Sequence, residues 1–179
     1  TMAAALHRKR TQRELRIATA GLEKQLEETR RAAEQNERYR RTLEALMEYV
    51  PEGITIAEMP ELTITWISKH GIELTGRPAE LLHNLPGRHH AQTWGIFHSD
   101  GTTPAENQEL PLTRAGRLGE VVEGEEWILR RPDGSRICCL CNAGPIRDRS
   151  GVITGGVIAW RDITDRKRRE RALQQSNEE

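Results

Sequence analysis

The sequence predicts an α+β fold: a five-stranded antiparallel sheet with short helices on one face, preceded by a long coiled-coil helix and followed by a C-terminal helix. Three observations predict it. The first 50 residues hold no Pro and one Gly, Gly21, and are rich in the strong helix formers Ala, Leu, Glu, Arg and Gln. After Pro51 the pattern turns short and alternating, with β-branched residues prominent. The last third carries three long runs, 121–131, 135–146 and 152–163, separated by the turns Pro132-Asp133-Gly134 and Asp148-Arg149-Ser150-Gly151. Two strands, several short helices and three more strands give a sheet whose helices gather on one side.

The first element is one helix over residues 3–49. With Leu15 at heptad position d, Leu22, Thr29, Asn36, Leu43 and Val50 follow at d, and Thr19, Leu26, Ala33, Arg40 and Met47 fall at a. Leu15, Leu22, Leu26, Ala33, Asn36, Leu43 and Met47 therefore form the expected seam of a parallel homodimer. Thr29, Asn36 and Arg40 put polar groups into that seam, which costs stability and fixes register. A long solvated helix packing its leucines back on the domain is the alternative. Charges of both signs interleave along the helix, so no phosphate-binding stripe forms and nucleic acid is not an expected partner.

Residues 53–57 and 62–67 read as a hairpin turning around Pro60. From Lys69 to Leu85, Gly76 and Pro78 break the pattern into short helices, and Pro86-Gly87 is expected to end them. Thr103 before Pro104 reads as an N-cap opening one short turn, and residues 111–118 as a second short helix. Residues 165–179 form the C-terminal helix, which gives the division 1–50, 51–164 and 165–179.

The formal net charge is zero, but it is a cancellation: +5 over residues 1–41, −6 over 42–160 and +1 over 161–179. Neutrality excludes binding by bulk charge and nothing more. No run approaches the roughly 20 apolar residues of a membrane span, and no signal peptide is visible. Three closely spaced cysteines, Cys138, Cys139 and Cys141, fit a reducing, cytoplasmic setting. Opening at Thr1 and stopping at Glu179 within a charged helical stretch suggests a piece of something longer.

Residues 42–164 resemble a PAS domain, the sensory module of bacterial signalling proteins. The resemblance rests on Arg130-Arg131-Pro132-Asp133-Gly134-Ser135, on Ala143-Gly144-Pro145-Ile146-Arg147-Asp148 with Gly151, and on Gly155-Gly156-Val157 through Arg161-Asp162-Ile163-Thr164-Asp165-Arg166-Lys167. Asp100-Gly101 through Glu109-Leu110-Pro111-Leu112 and Gly119-Glu120 is similar to the helix-and-loop portion of one PAS subgroup. The chain departs from the family at Ser68 and His70, where an Asn and an Ala are usual. The resemblance implies that Asp162, Ile163 and Thr164 are a hinge passing the state of the sheet to the next helix. The tail resembles the connector ahead of a sensor histidine kinase, so the implied function is a sensory and dimerisation module of a two-component system. A cyclic-dinucleotide enzyme or transcription regulator downstream, or a purely structural dimeriser, are the alternatives.

Candidate lining residues for a small-molecule pocket are Ile56, Ile64, Trp66, Trp94, Leu112, Trp127, Cys139, Cys141 and Val157, with Trp94 placed on a linker facing the sheet. Cys139 and Cys141 share one face of a strand and Cys138 takes the other, an arrangement of small hydrophobes rather than a metal site. His83, His89 and His90 are weak candidates for a haem ligand. The region from Pro104 to Leu118, where the haem-binding subgroup carries its ligand, has no His. The flavin-binding LOV subgroup needs a Cys on a helix after the hairpin, and none occurs before Cys138, so no flavin photocycle is expected. No phosphate loop or nucleophile elbow is present, and Glu123-Gly124-Glu125-Glu126 reads as a surface segment, so this stretch is not expected to be an enzyme.

Overall fold

The structure, a computed structural model, describes residues 2–177. It divides into two units, the first ending at Leu46 and the second beginning at Met47. Helix α1 (Met2–Tyr49) supplies the whole of the first. Its charges pair along the helix: Glu27 takes Arg30 and Arg31, and Glu37 takes Arg40 and Arg41. Solvent screens such exposed pairs, so they add little to stability beyond favouring the helix. The hydroxyls of Thr19 and Thr29 donate back to the carbonyls of Leu15 and Gln25, so these polar seam residues are satisfied within their own helix. Leu15, Leu22, Leu26 and Leu43 are more than half exposed.

The second unit is built on one antiparallel sheet. Strands β1 (Gly53–Glu58) and β2 (Thr63–Ile67) form the opening hairpin, whose turn contains a cis Met59–Pro60 bond. Helix α2 (Lys69–Thr75) follows. The Ser68 hydroxyl caps it by accepting from the Gly71 N–H, accepts from the Ile54 N–H and donates to the Glu52 carbonyl, so it fastens α2 to β1. Gly76 ends α2 at φ 64°, a left-handed conformation that suits glycine.

Pro86 does not end the helical region. It stands at the start of a 3-10 turn, Gly87–His89, that runs into α3 (His90–Trp94), because a residue without an N–H and with φ fixed near −65° suits a helix start as well as a stop. Trp94 therefore sits on a helix and not on a linker. The chain then forms β3 (Ile96–Phe97), which pairs with β4 (Val122–Arg130) and makes the sheet six-stranded rather than five-stranded. A two-residue strand shows no alternation to read.

Thr103 caps no helix. Its carbonyl accepts from the His98 N–H, Pro104 bridges Phe97, and the helical turn lies further on at Asn107–Glu109, where Glu106 and Glu109 form a capping box. Helix α4 (Pro111–Leu118) has Pro at its first turn and ends at Gly119 with φ 73°. The last strands are β4, β5 (Arg136–Arg147) and β6 (Ile153–Asp162), and α5 (Thr164–Asn177) follows. Asp133 and Asp148 each fold their carboxylate back onto the backbone N–H two residues on, closing the two hairpin turns.

The strand order is β2-β1-β6-β5-β4-β3. Helix α4 lies against β6 where Gly116 meets Gly156, and a Cβ on Gly116 would overlap the Leu62 side chain. Between the sheet and its helices Leu62, Ile64, Leu82, Leu112, Leu129 and Ile137 form the core, with three of the four tryptophans. No helix among the described residues is long and apolar enough to cross a membrane.

Candidate ligand cavity and exit hinge

A cavity of about 70 Å³ lies between the inner face of the sheet and helices α3 and α4. The sheet contributes Thr55, Ile64, Ile96, Trp127, Leu129, Cys139, Cys141, Ile158 and Trp160. The helical side contributes His90, Trp94, Leu110, Pro111 and Leu112. No charged side chain is among them. Six of the nine residues expected from the sequence, Ile64, Trp94, Leu112, Trp127, Cys139 and Cys141, stand in this wall.

Ile56, Trp66 and Val157 do not. Ile56 pairs with Trp66 on β2 and with Val157 on β6, and the three share the outer face of the sheet. The cavity side of β1 is carried by Thr55 and Ala57 instead. Side chains alternate with a period of two, which puts Ile56 and Val157 on the outer face, while Trp66 leaves the face of Ile64, two residues before it, because the β1–β2 register shifts between Ile56 and Ala57. Thr55, Ile96, Leu110, Pro111, Leu129, Ile158 and Trp160 are wall residues outside the expected set, and His90 is expected only as a haem ligand. Trp160 lies opposite Cys141 in the ladder of β5 and β6 and so shares its face of the sheet.

The ring of Trp94 meets that of Trp160 edge to face at 5.8 Å. Trp127 is held differently. Its Nε1–H donates to the Glu125 carboxylate at 3.2 Å, and the His98 ring packs over it at 5.0 Å. Glu125 in turn takes the Arg114 guanidinium from α4, which also forks to Glu120. The expected surface segment is thus partly structural, and its last member, Glu126, pairs with Lys167 of α5 at 2.7 Å.

Burial lowers the pKa of His90 from its ordinary 6.5 to about 4, so the ring is neutral. Its Nε2 lies 3.0 Å from the Leu85 carbonyl, which can only accept, so Nε2 carries the proton and Nδ1 is the acceptor. Burial also pushes the Cys141 thiol up to about 12 and raises that of Cys139, which keeps both protonated. Cys138 stands half-buried on the opposite face.

Of the three candidate haem ligands only His90 reaches the cavity, and its Nε2 is engaged with Leu85. A porphyrin or a flavin needs a pocket of several hundred Å³. The residues present fit neither group. Among the described residues no three His, Cys, Asp or Glu side chains come together as a metal site.

The exit from the sheet is fastened at each hinge residue. Asp162 accepts from the Thr164 N–H at 2.8 Å, and the buried Ile163 donates its N–H to the Cys138 carbonyl at 2.8 Å. The Thr164 hydroxyl is not a helix cap. It accepts from the Cys138 N–H at 2.9 Å. Beyond Lys167 the described side chains of α5 are exposed.

The sequence model described as PAS domain matches residues 51–165. No curated protein matches the chain. Among solved structures, an RNA-binding light-oxygen-voltage receptor superposes with a TM-score of 0.55 at 20% identity, over 77% of this chain and 37% of that one. The PAS domain of an HTR-like protein from Haloarcula marismortui gives 0.51 at 18% identity, over 75% and 99%. The PAS domain of the fruit-fly ELK potassium channel gives 0.52 at 17%, over 69% and 95%. At these identities the likeness is one of fold.

Proposed function

The chain belongs to the PAS domain family of sensory signalling modules, and from that premise we propose that it senses a small ligand or an upstream signal as a homodimer and transmits it through its flanking helices to a downstream histidine kinase. The observation that carries this reading is the continuity of β5 and β6. Trp160 and Cys141 face the cavity as a pair, and the next inward pair, Asp162 opposite Cys139, already belongs to the hinge. A shift of the Trp160 ring therefore acts two residues from the point that aims α5. The exposed leucines of α1 support dimerisation by supplying an apolar seam for a second copy.

The module acts by biasing two packings that lie within a few kcal/mol of each other, and does no chemistry of its own. The division at residues 50 and 164 gives it an input rod, a sensor and an output connector. The small cavity favours one second reading, a structural dimeriser with no ligand.

Asp162→Ala in the full-length protein tests the proposal. Autophosphorylation should lose its response to signal while the domain keeps its melting temperature; an unchanged response would sink the transmission route. A monomer in sedimentation velocity would remove the dimer.

A further inference from the structure

The surface that the cavity wall turns to its free space is almost wholly apolar. Three wall groups lack a hydrogen-bond partner, the Thr55 hydroxyl and the indole Nε1–H groups of Trp94 and Trp160, yet protein atoms close over each of them, so none is offered to a guest. His90 spends its Nε2–H on the Leu85 carbonyl. Burial keeps the thiols of Cys139 and Cys141 protonated, and they pack as small hydrophobes.

That wall decides what can fill the space. A buried water needs several polar partners, and here it would find none, so the cavity stays dry. A charged guest would lie unpaired, and a neutral polar one would bury its polar atom without a partner. An apolar guest loses nothing of this kind and supplies the dispersion contacts that the lining atoms lack across the void. An apolar cavity of about 150 Å³ takes benzene, so one of about 70 Å³, roughly half as large, has room for about three carbon atoms.

We propose that the cavity takes a small apolar molecule the size of a three-carbon hydrocarbon, held by dispersion against Leu112, Leu129 and Ile158. The proposal rests on reading this cavity as the sensory site and names the chemistry of its ligand.

Propane and ethanol test it, because they are alike in size and differ by a methyl against a hydroxyl. The readout is the set of methyl resonances of the full chain carrying 13C-labelled Ile and Leu. Propane should shift the methyls of Leu112, Leu129 and Ile158 saturably and leave those of Ile56, on the outer face, in place. Ethanol should bind at least roughly tenfold more weakly, since its hydroxyl would be buried unpaired. No saturable shift with propane, equal affinity for the two probes, or equal shifts at Ile56 overturns the proposal.

Cys141→Leu adds bulk to the wall and should abolish the propane shifts; propane bound as before in the folded variant overturns the proposal. Leu112→Ala asks the same question from the other side, whatever becomes of the first variant. It widens the cavity, so benzene, excluded from the unaltered chain, should enter. Benzene admitted to both chains, or to neither, overturns the proposal. The amide signals of Ile163 and Thr164 separate the two levels of the reading. Propane at the wall methyls with silent hinge amides leaves the ligand class standing and defeats transmission. Silent wall methyls defeat the ligand class whatever Asp162→Ala does to output.

Discussion

The hydroxyl of Thr164 accepts the backbone N–H of Cys138 at 2.9 Å, which joins the first residue of α5 to the strand that lines the cavity on its other face. The ladder is closed from the opposite direction by the Ile163 N–H on the Cys138 carbonyl. The helix start is thus held by β5 as firmly as by the strand it continues.

Thr164→Val keeps the shape of the side chain and removes the acceptor. The Cys138 N–H is then left unpaired, at a cost of about 1–3 kcal/mol. Hydrogen exchange should rise at Cys138 and through the first turn of α5, with little change in α4. Uniform protection across the hinge would show that the hydroxyl adds nothing.

Gly116→Ala tests how closely α4 approaches the hairpin. The added methyl would collide with Leu62, which is fully buried, so overpacking should cost about 1–3 kcal/mol. Chemical denaturation measures it, and an unchanged midpoint would mean that Leu62 has room to turn.

Acid should weaken the fold through His90. Its folded-state pKa, about 4, lies below the ordinary 6.5, so between those values the unfolded chain binds a proton that the folded chain refuses. Stability is complete above about pH 6.5 and falls as pH drops, by about 2 kcal/mol between roughly pH 7 and pH 5. His90→Gln removes the titrating group, so its denaturation midpoint should be flatter over that window. Parallel curves for the two proteins would remove His90 as the cause.

Replacing Asn36 and Arg40 together with Leu extends the apolar seam of α1. If two copies pair there, each leucine should add on the order of 2 kcal/mol to the dimer. Sedimentation equilibrium decides it, and a monomer both before and after substitution refutes the coiled coil.

Native alkylation should find Cys138 first. The thiols of Cys139 and Cys141 are buried and held protonated, so they should react only in denaturant. Mass spectrometry after peptide cleavage reads the order directly.

What the sequence revealed and what it hid follow one physical divide. Helix α4 carries its own start and stop, Pro111 and Gly119, and β4, β5 and β6 are bracketed by turns that their own aspartates close. Those elements were legible. Strand β3 exists only because Leu129 and Ile128 pair with it, and α3 begins where Pro86 suggested an end. The inner face of β1 was misread because it is the less hydrophobic one. Small residues are needed there to admit the Trp160 ring beside Gly53, while the isoleucines point outward. That the indole N–H groups of Trp94 and Trp160 lie buried without a partner could not have been read at all, since it is a property of their surroundings.

The fastening of α5 by its first turn alone makes the helix a lever. Fourteen residues at about 1.5 Å each extend it by about 21 Å, so turning its base by about 5° carries its far end about 2 Å. That is about the travel by which packed helices change register at an interface. On the proposed route, a shift of a few tenths of an ångström at Trp160 would be amplified by the geometry beyond Thr164, with no large rearrangement around the cavity.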